Sequence, residues 1–150
     1  MSFALTLSLG LLGCSGPDPV TCPGPGCVCS GAGCICEDGA YCRHDSTGSD
    51  NVSCRTGSRC EGTCTNSCNY DCAAGAECDL SVGLSSNVTC TDATCVVTAG
   101  ASSNVVCREG ARCEVTCTAA CNLDCRGASS CRLTCGSSAS LDVTAEAQCD

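Results

Sequence analysis

Along most of this chain, apolar or small residues alternate with polar ones in bursts of five. In Cys113-Glu114-Val115-Thr116-Cys117 and again in Cys121-Asn122-Leu123-Asp124-Cys125, every second position is Cys, Val or Leu and the positions between are polar. A period of two puts one set of side chains on each face of a β-strand, whereas a helix would scatter the same positions around its circumference. One series of bursts has its inward positions at Cys60, Gly62 and Cys64, then Cys78, Leu80 and Val82, then Cys95, Val97 and Ala99, then Cys113, Val115 and Cys117, then Cys131, Leu133 and Cys135. A second series interleaves with it at Cys68, Tyr70 and Cys72, then Ser86, Val88 and Cys90, then Ser103, Val105 and Cys107, then Cys121, Leu123 and Cys125, then Ala139, Leu141 and Val143.

The bursts repeat. Cysteine recurs as Cys42, Cys60, Cys78, Cys95, Cys113, Cys131 and Cys149, an interval of 18 residues with one of 17, so Cys149 reads as the opening of a seventh unit. Two short strands cannot bury an apolar face within one such unit, but units stacked about 4.8 Å apart can. The expected fold is therefore all-β: a parallel β-solenoid of about six rungs, two short strands per 18-residue rung, with columns of Cys, Val and Leu inside. The longer turns carry Thr56-Gly57-Ser58, Ala74-Gly75-Ala76, Glu109-Gly110-Ala111 and Arg126-Gly127-Ala128, where glycine supplies the positive φ of a sharp corner. The rung length resembles that of the calcium-binding nonapeptide β-roll. That family's Gly-Gly-x-Gly-x-Asp signature is absent, so calcium does not carry over. Disulfide-bonded solenoids such as the beetle antifreeze proteins are a closer likeness, without a match to their shorter unit or their paired Thr-x-Thr face.

Composition shows why the units need cross-links. After residue 13 the large apolar side chains are eleven Val, five Leu, one Ile and two Tyr, which at a net charge of −9 is a composition typical of disorder. Stability must come from staples, as in other disulfide-dense exported chains. The 23 cysteines are an odd number, which in an exported protein implies one that is modified or paired elsewhere.

The start of the chain supplies a candidate for that one. Residues 3–12 form a hydrophobic run that ends in Leu11-Leu12-Gly13-Cys14. The run is too short to span a bilayer, which takes about 20 residues. It resembles the lipobox of bacterial lipoproteins. The resemblance implies cleavage before Cys14, lipid on its thiol and new amine, and attachment to a membrane through that anchor. Ser15 in the next position implies outer-membrane sorting. The chain then divides into a signal peptide (1–13), a lipidated tether (14–21), a Cys-rich N-terminal cap (22–41) and the solenoid repeats (42–150), which open on Cys42.

Setting Cys14 aside leaves 22 cysteines to pair by spacing. Cys36 with Cys42, Cys54 with Cys60, Cys72 with Cys78, Cys107 with Cys113 and Cys125 with Cys131, and the one-shorter pair Cys90 with Cys95, would each span a longer turn. Cys64 with Cys68 and Cys117 with Cys121 would span the shorter one. Val143 and Ala139 stand where partners of Cys149 and Cys135 are due, so Cys135 is expected to pair with Cys149. Cys22, Cys27, Cys29 and Cys34 remain for two bonds of open connectivity. A rival map crosses the core at pairs such as Cys60 with Cys72 and Cys113 with Cys125. It leaves Cys131, Cys135 and Cys149 without an evident rule, and the turn-spanning map is favoured.

No nucleophile and base are paired by the sequence, so no enzyme activity, cofactor or metal is expected. The pairs Cys27 with Cys29 and Cys34 with Cys36 resemble the Cys-x-Cys clusters of metallothioneins, which implies a thiolate metal-binding alternative. His44 is read as a cap residue at an inward position. Outward positions form an Asn column (Asn51, Asn69, Asn87, Asn104, Asn122), read as an amide ladder between rungs. They also form a hydroxyl column (Thr63, Ser81, Thr98, Thr116, Thr134), the candidate face for binding ice or a cell-wall polymer. Acidic neighbours such as Glu61, Asp79 and Glu114 disfavour a flat ice plane, and the net negative charge argues against a nucleic-acid partner. The functional expectation is a non-enzymatic, lipid-anchored structural or interaction module of the cell envelope.

Overall fold

The computed structural model describes residues 24–31 and 33–150; the leader, Cys14 and Cys22 lie outside the described residues. The described chain is all strand and turn. In chain order the strands are β1 (Cys27–Ser30), β2 (Gly33–Cys36), β3 (Tyr41–Ser46), β4 (Asn51–Cys54), β5 (Arg59–Asn66), β6 (Asn69–Cys72), β7 (Glu77–Leu84) and β8 (Asn87–Thr91). They continue as β9 (Thr94–Ala99), β10 (Ser103–Arg108), β11 (Arg112–Cys117), β12 (Cys121–Asp124), β13 (Ser130–Cys135), β14 (Leu141–Asp142) and β15 (Glu146–Cys149).

These strands build a β-solenoid of about six turns with two sheets. One sheet runs β14-β13-β11-β9-β7-β5-β3 and the other β1-β2-β4-β6-β8-β10-β12-β15. Successive rungs pair in parallel with like on like: Cys42 on Cys60, Cys60 on Cys78, Val97 on Val115, Asn69 on Asn87. The sequence reading opens the repeats at Cys42, but the parallel stack begins one strand earlier. Strand β2, inside the segment read as the cap, pairs with β4 in the same register as later rungs. Cys42 itself lies within β3 and is tied back to Cys36 at the end of β2. The period counted on one cysteine per unit marks only one of the two sheets, which is why it starts late.

Turns stack as faithfully as strands. The longer corners place Gly39, Gly57, Gly75, Gly110 and Gly127 at positive φ, and Gly57 N–H donates to the Ala74 carbonyl of the next rung at 3.0 Å. The single 17-residue interval falls in this corner: Asp92 takes the left-handed position at φ 49°, and the sheets on either side keep their register. The shorter corners use serine instead, with Ser49, Ser67, Ser85 and Ser102 at φ between 54° and 62°. These serines recur at the repeat interval, 18, 18 and 17 residues apart, although serine by itself does not announce a left-handed corner as glycine does.

Inside, one bulky pair interrupts the Val and Leu columns. Tyr70 reaches from its own sheet toward the other, where the facing residue is Gly62; a Cβ there would sit 2.5 Å from the Tyr70 hydroxyl. Large against small keeps the layer filled. Close backbone approach explains a second glycine, Gly83, whose Cβ position coincides with the carbonyl of Thr65.

The last unit departs from the sequence reading. Leu141, an inward position in the strand alternation, is 64 % exposed and lies in β14, which pairs antiparallel with β13. Cys149 does not open a seventh rung: β15 runs antiparallel to β12 and sets Cys149 opposite Cys121. The reversed strands pair with the outer ladders of β12 and β13 and close that edge.

Candidate functional site

The cysteines form two columns at opposite edges of the core. At the longer turns Cys36 is disulfide-bonded to Cys42, Cys54 to Cys60, Cys72 to Cys78, Cys90 to Cys95, Cys107 to Cys113 and Cys125 to Cys131. At the shorter turns Cys64 is bonded to Cys68 and Cys117 to Cys121, and the reversed β15 brings Cys149 to Cys135. Cys29 bonds Cys34, and Cys27 is also disulfide-bonded. No bond crosses the core between Cys60 and Cys72 or Cys113 and Cys125, since each of these is joined to its turn partner.

Where the second column lacks cysteine, polar pairs hold the corner. Ser46 donates to the Asp50 carboxylate in a short hydrogen bond at the positions that Cys64 and Cys68 occupy one rung later. Ser103 Oγ accepts from the Ser86 amide at 3.1 Å and donates to the Gly83 carbonyl at 2.7 Å.

Asp50 also faces His44, and the two belong to a buried polar cluster. His44 is 2 % exposed; its Nδ1 lies 2.8 Å from the Tyr70 hydroxyl and its Nε2 lies 3.6 Å from Asp50 Oδ2. Among the described residues Nε2 has no hydrogen-bond partner. Burial pushes the imidazole below its ordinary value, outweighing the opposite pull of Asp50 and Asp45. Burial likewise raises the Tyr70 phenol. Nδ1 is hydrogen-bonded with the phenol, and Nε2 faces the Asp50 carboxylate. The set places polar groups inside a thin core, and Tyr70 also lines a hollow on the Asn-bearing face. Sequence singles out His44 and misses Ser46 and Asp50, although their 18-residue offset from Cys64 and Cys68 is a usable signal.

The outward columns are in register. Asn69 donates to Asn51 at 2.9 Å, Asn87 to Asn69 at 2.9 Å, Asn104 to Asn87 at 3.1 Å and Asn122 to Asn104 at 3.0 Å, a continuous amide ladder. Two shallow hollows of about 490 and 450 Å³ lie on this face, the first beside Ile35, Asn69 and Asp71, the second beside Asn122, Asp124 and Glu146. In the second, Arg126 holds the Asp124 carboxyl down to about 2.

On the other sheet Thr63, Ser81, Thr98, Thr116 and Thr134 stack directly. Thr63 donates to Asp45 at 2.6 Å, which lowers that carboxyl, and Thr134 bonds Ser140 at 2.7 Å. The neighbouring outward column mixes charges through Arg43, Glu61, Asp79, Val96, Glu114 and Arg132. The hydroxyl column is thus one residue wide and bordered by charge.

No protein-family model matches this chain, and no match was found among curated proteins or solved structures. The physical content of the columns therefore carries the functional argument. The many disulfides suggest an oxidising, extracytoplasmic environment, because thiols in reducing compartments are kept unpaired.

Proposed function

We propose that the protein is a non-enzymatic structural module of the bacterial cell envelope, anchored by lipid on Cys14. The supporting observation is the Asn ladder. Each interior Asn donates to one neighbouring rung and accepts from the other, so the most regular surface feature is committed to holding rungs together. Turn amides are committed the same way, and two disulfide columns lock the corners. Such a lattice gives a stiff element of fixed length, suited to spacing or presenting something at a membrane surface. The lipobox-like Leu11-Leu12-Gly13-Cys14 supports the anchor, and Ser15 supports the outer membrane as its destination.

The test is expression of the full chain in a Gram-negative host with an acyl-chain analogue, followed by fractionation and intact-mass analysis. Labelled protein in the outer-membrane fraction is expected, with Cys14→Ser abolishing the label while oxidised β-structure persists. A wild-type product lacking lipid on Cys14 overturns the anchor. Retention on a cell-wall polymer that Thr98→Lys abolishes without lowering the melting temperature would move the protein from scaffold to polymer binder.

A further inference from the structure

From the Cys54–Cys60 bond onward, the disulfides at the longer turns are stacked closely enough to react with one another. Cys54, Cys60 and Cys78 have their Sγ atoms all within 4.8 Å; so do Cys72, Cys78 and Cys95, then Cys90, Cys95 and Cys113, then Cys107, Cys113 and Cys131. In every triplet two sulfurs form one bond, and the third belongs to the next rung. All of these cysteines are at most 4 % exposed, so exchange between neighbouring rungs competes well with attack by thiols from solution. The other column is not built this way. Between the Cys64–Cys68 and Cys117–Cys121 bonds stand two rungs carrying Val82 with Ser86 and Ala99 with Ser103.

We propose that the longer-turn column is a relay for thiol–disulfide exchange, along which a free thiol or a reduced pair moves from rung to rung while the solenoid stays folded. Exchange requires a thiolate next to a disulfide sulfur and proceeds through a mixed disulfide. If Cys60 is a thiolate, it attacks Cys78, its direct register partner. The Cys60–Cys78 bond forms, the Cys72–Cys78 bond breaks, and Cys72 leaves as the thiolate. Aligned strands about 4.8 Å apart lie within the Cα separations that disulfides accept. Cys72 then reaches Cys95 and frees Cys90, Cys90 reaches Cys113 and frees Cys107, and Cys107 reaches Cys131 and frees Cys125.

A reduced pair moves by two such steps. After Cys60 has displaced Cys72, Cys54 attacks Cys60, the Cys54–Cys60 bond forms again, and Cys78 leaves. The dithiol has shifted one rung. One bond forms and one breaks in each step, and a proton exchanges with the departing thiolate. The electrons that create the first dithiol come from a dithiol reductant outside the protein, and transfer within the column needs no other reactant. At the C-terminal end Val143, whose amide donates to the Cys131 carbonyl, packs against the core beyond the Cys125–Cys131 bond, the last of the column.

The experiment is Cys54→Ser in the full chain, which leaves Cys60 unpaired. The folded, oxidised variant is held at about pH 9.5, above the ordinary thiol value of about 8.5 because burial raises it, then quenched in acidic denaturant, alkylated unfolded and mapped without reduction. The expected result is label divided between Cys60 and the series Cys72, Cys90, Cys107 and Cys125, with a Cys60–Cys78 bond recovered. Cys68→Ser is the control, and its thiol should stay on Cys64. Label confined to Cys60, or scattered equally into the shorter-turn cysteines, overturns the relay. Should Cys54→Ser fail to fold, Cys125→Ser applies the same test from the other end: Cys131 should displace a sulfur of the Cys107–Cys113 bond, and label remaining on Cys131 alone counts against the proposal.

Discussion

An imidazole, a carboxylate and a phenol share the interior beneath the first rungs, where later rungs bury Leu, Val, Ala and Cys with the corner serines Ser86 and Ser103. Such a cluster makes stability depend on pH. Because burial depresses the His44 value in the native state, the unfolded chain takes up a proton near its ordinary value of about 6.5 that the native chain does not. The full contribution of neutral His44 is therefore present above about pH 6.5 and declines as pH falls toward the native value. The oxidised protein should lose denaturant resistance between about pH 7 and 5, and His44→Gln, which cannot titrate there, should flatten that slope. Equal slopes for wild type and variant would show that His44 is not held neutral in the fold.

At the scale of the strand and its corner, one rule governs both cysteine columns: residues 18 apart take the same place, so any rung can host the pair its neighbours carry. Ala99 lies in register with Cys117, and Ser103 with Cys121. The double substitution Ala99→Cys and Ser103→Cys is expected to form a new disulfide. A closed loop of about five residues is worth roughly 2 kcal/mol in the chain-entropy model. Loss of the two Ser103 hydrogen bonds offsets about 2 kcal/mol. The melting temperature should therefore stay close to that of the wild type, with a new disulfide and no added free thiol. A variant that keeps two alkylatable thiols would mean that the corner geometry is not transferable between rungs.

The whole molecule behaves as a one-dimensional stack, in which each rung touches only its neighbours. Excising residues 94–111, a full 18-residue unit, joins Ala93 to Arg112 and leaves Cys90 and Cys113 with the spacing of the natural Cys90–Cys95 corner. This shortened chain should fold with β-sheet circular dichroism, a cooperative melt and one fewer disulfide. Removing residues 94–102 instead takes out one strand and one corner, and would bring two strands of the same sheet into succession. That chain should lose the cooperative transition. If both deletions melt alike, rungs are not the unit of stability.

Period, strand alternation and corner chemistry were legible in the sequence because each is local and repeated: a burst such as Cys113 to Cys117 declares its inward face, and Gly57 declares a left-handed corner. Stacking multiplies every local preference six times over, so the fold follows from the repeat. What the repeat cannot encode is what happens where it starts and stops. The stack reaches back past Cys42 to β2 because a strand of four residues, Gly33–Cys36, offers β4 a complete register partner without carrying the full repeat. The reversal of β14 and β15, the exposure of Leu141 and the route by which Cys149 meets Cys135 belong to an antiparallel pairing at that edge of the stack, which no repeat position encodes. Distances between rungs were equally hidden. Sequence spacing tells which cysteine is near along the chain, whereas the approach of Cys78 to the Cys54–Cys60 bond is set by the inter-strand separation of a parallel sheet, and only the folded stack contains it.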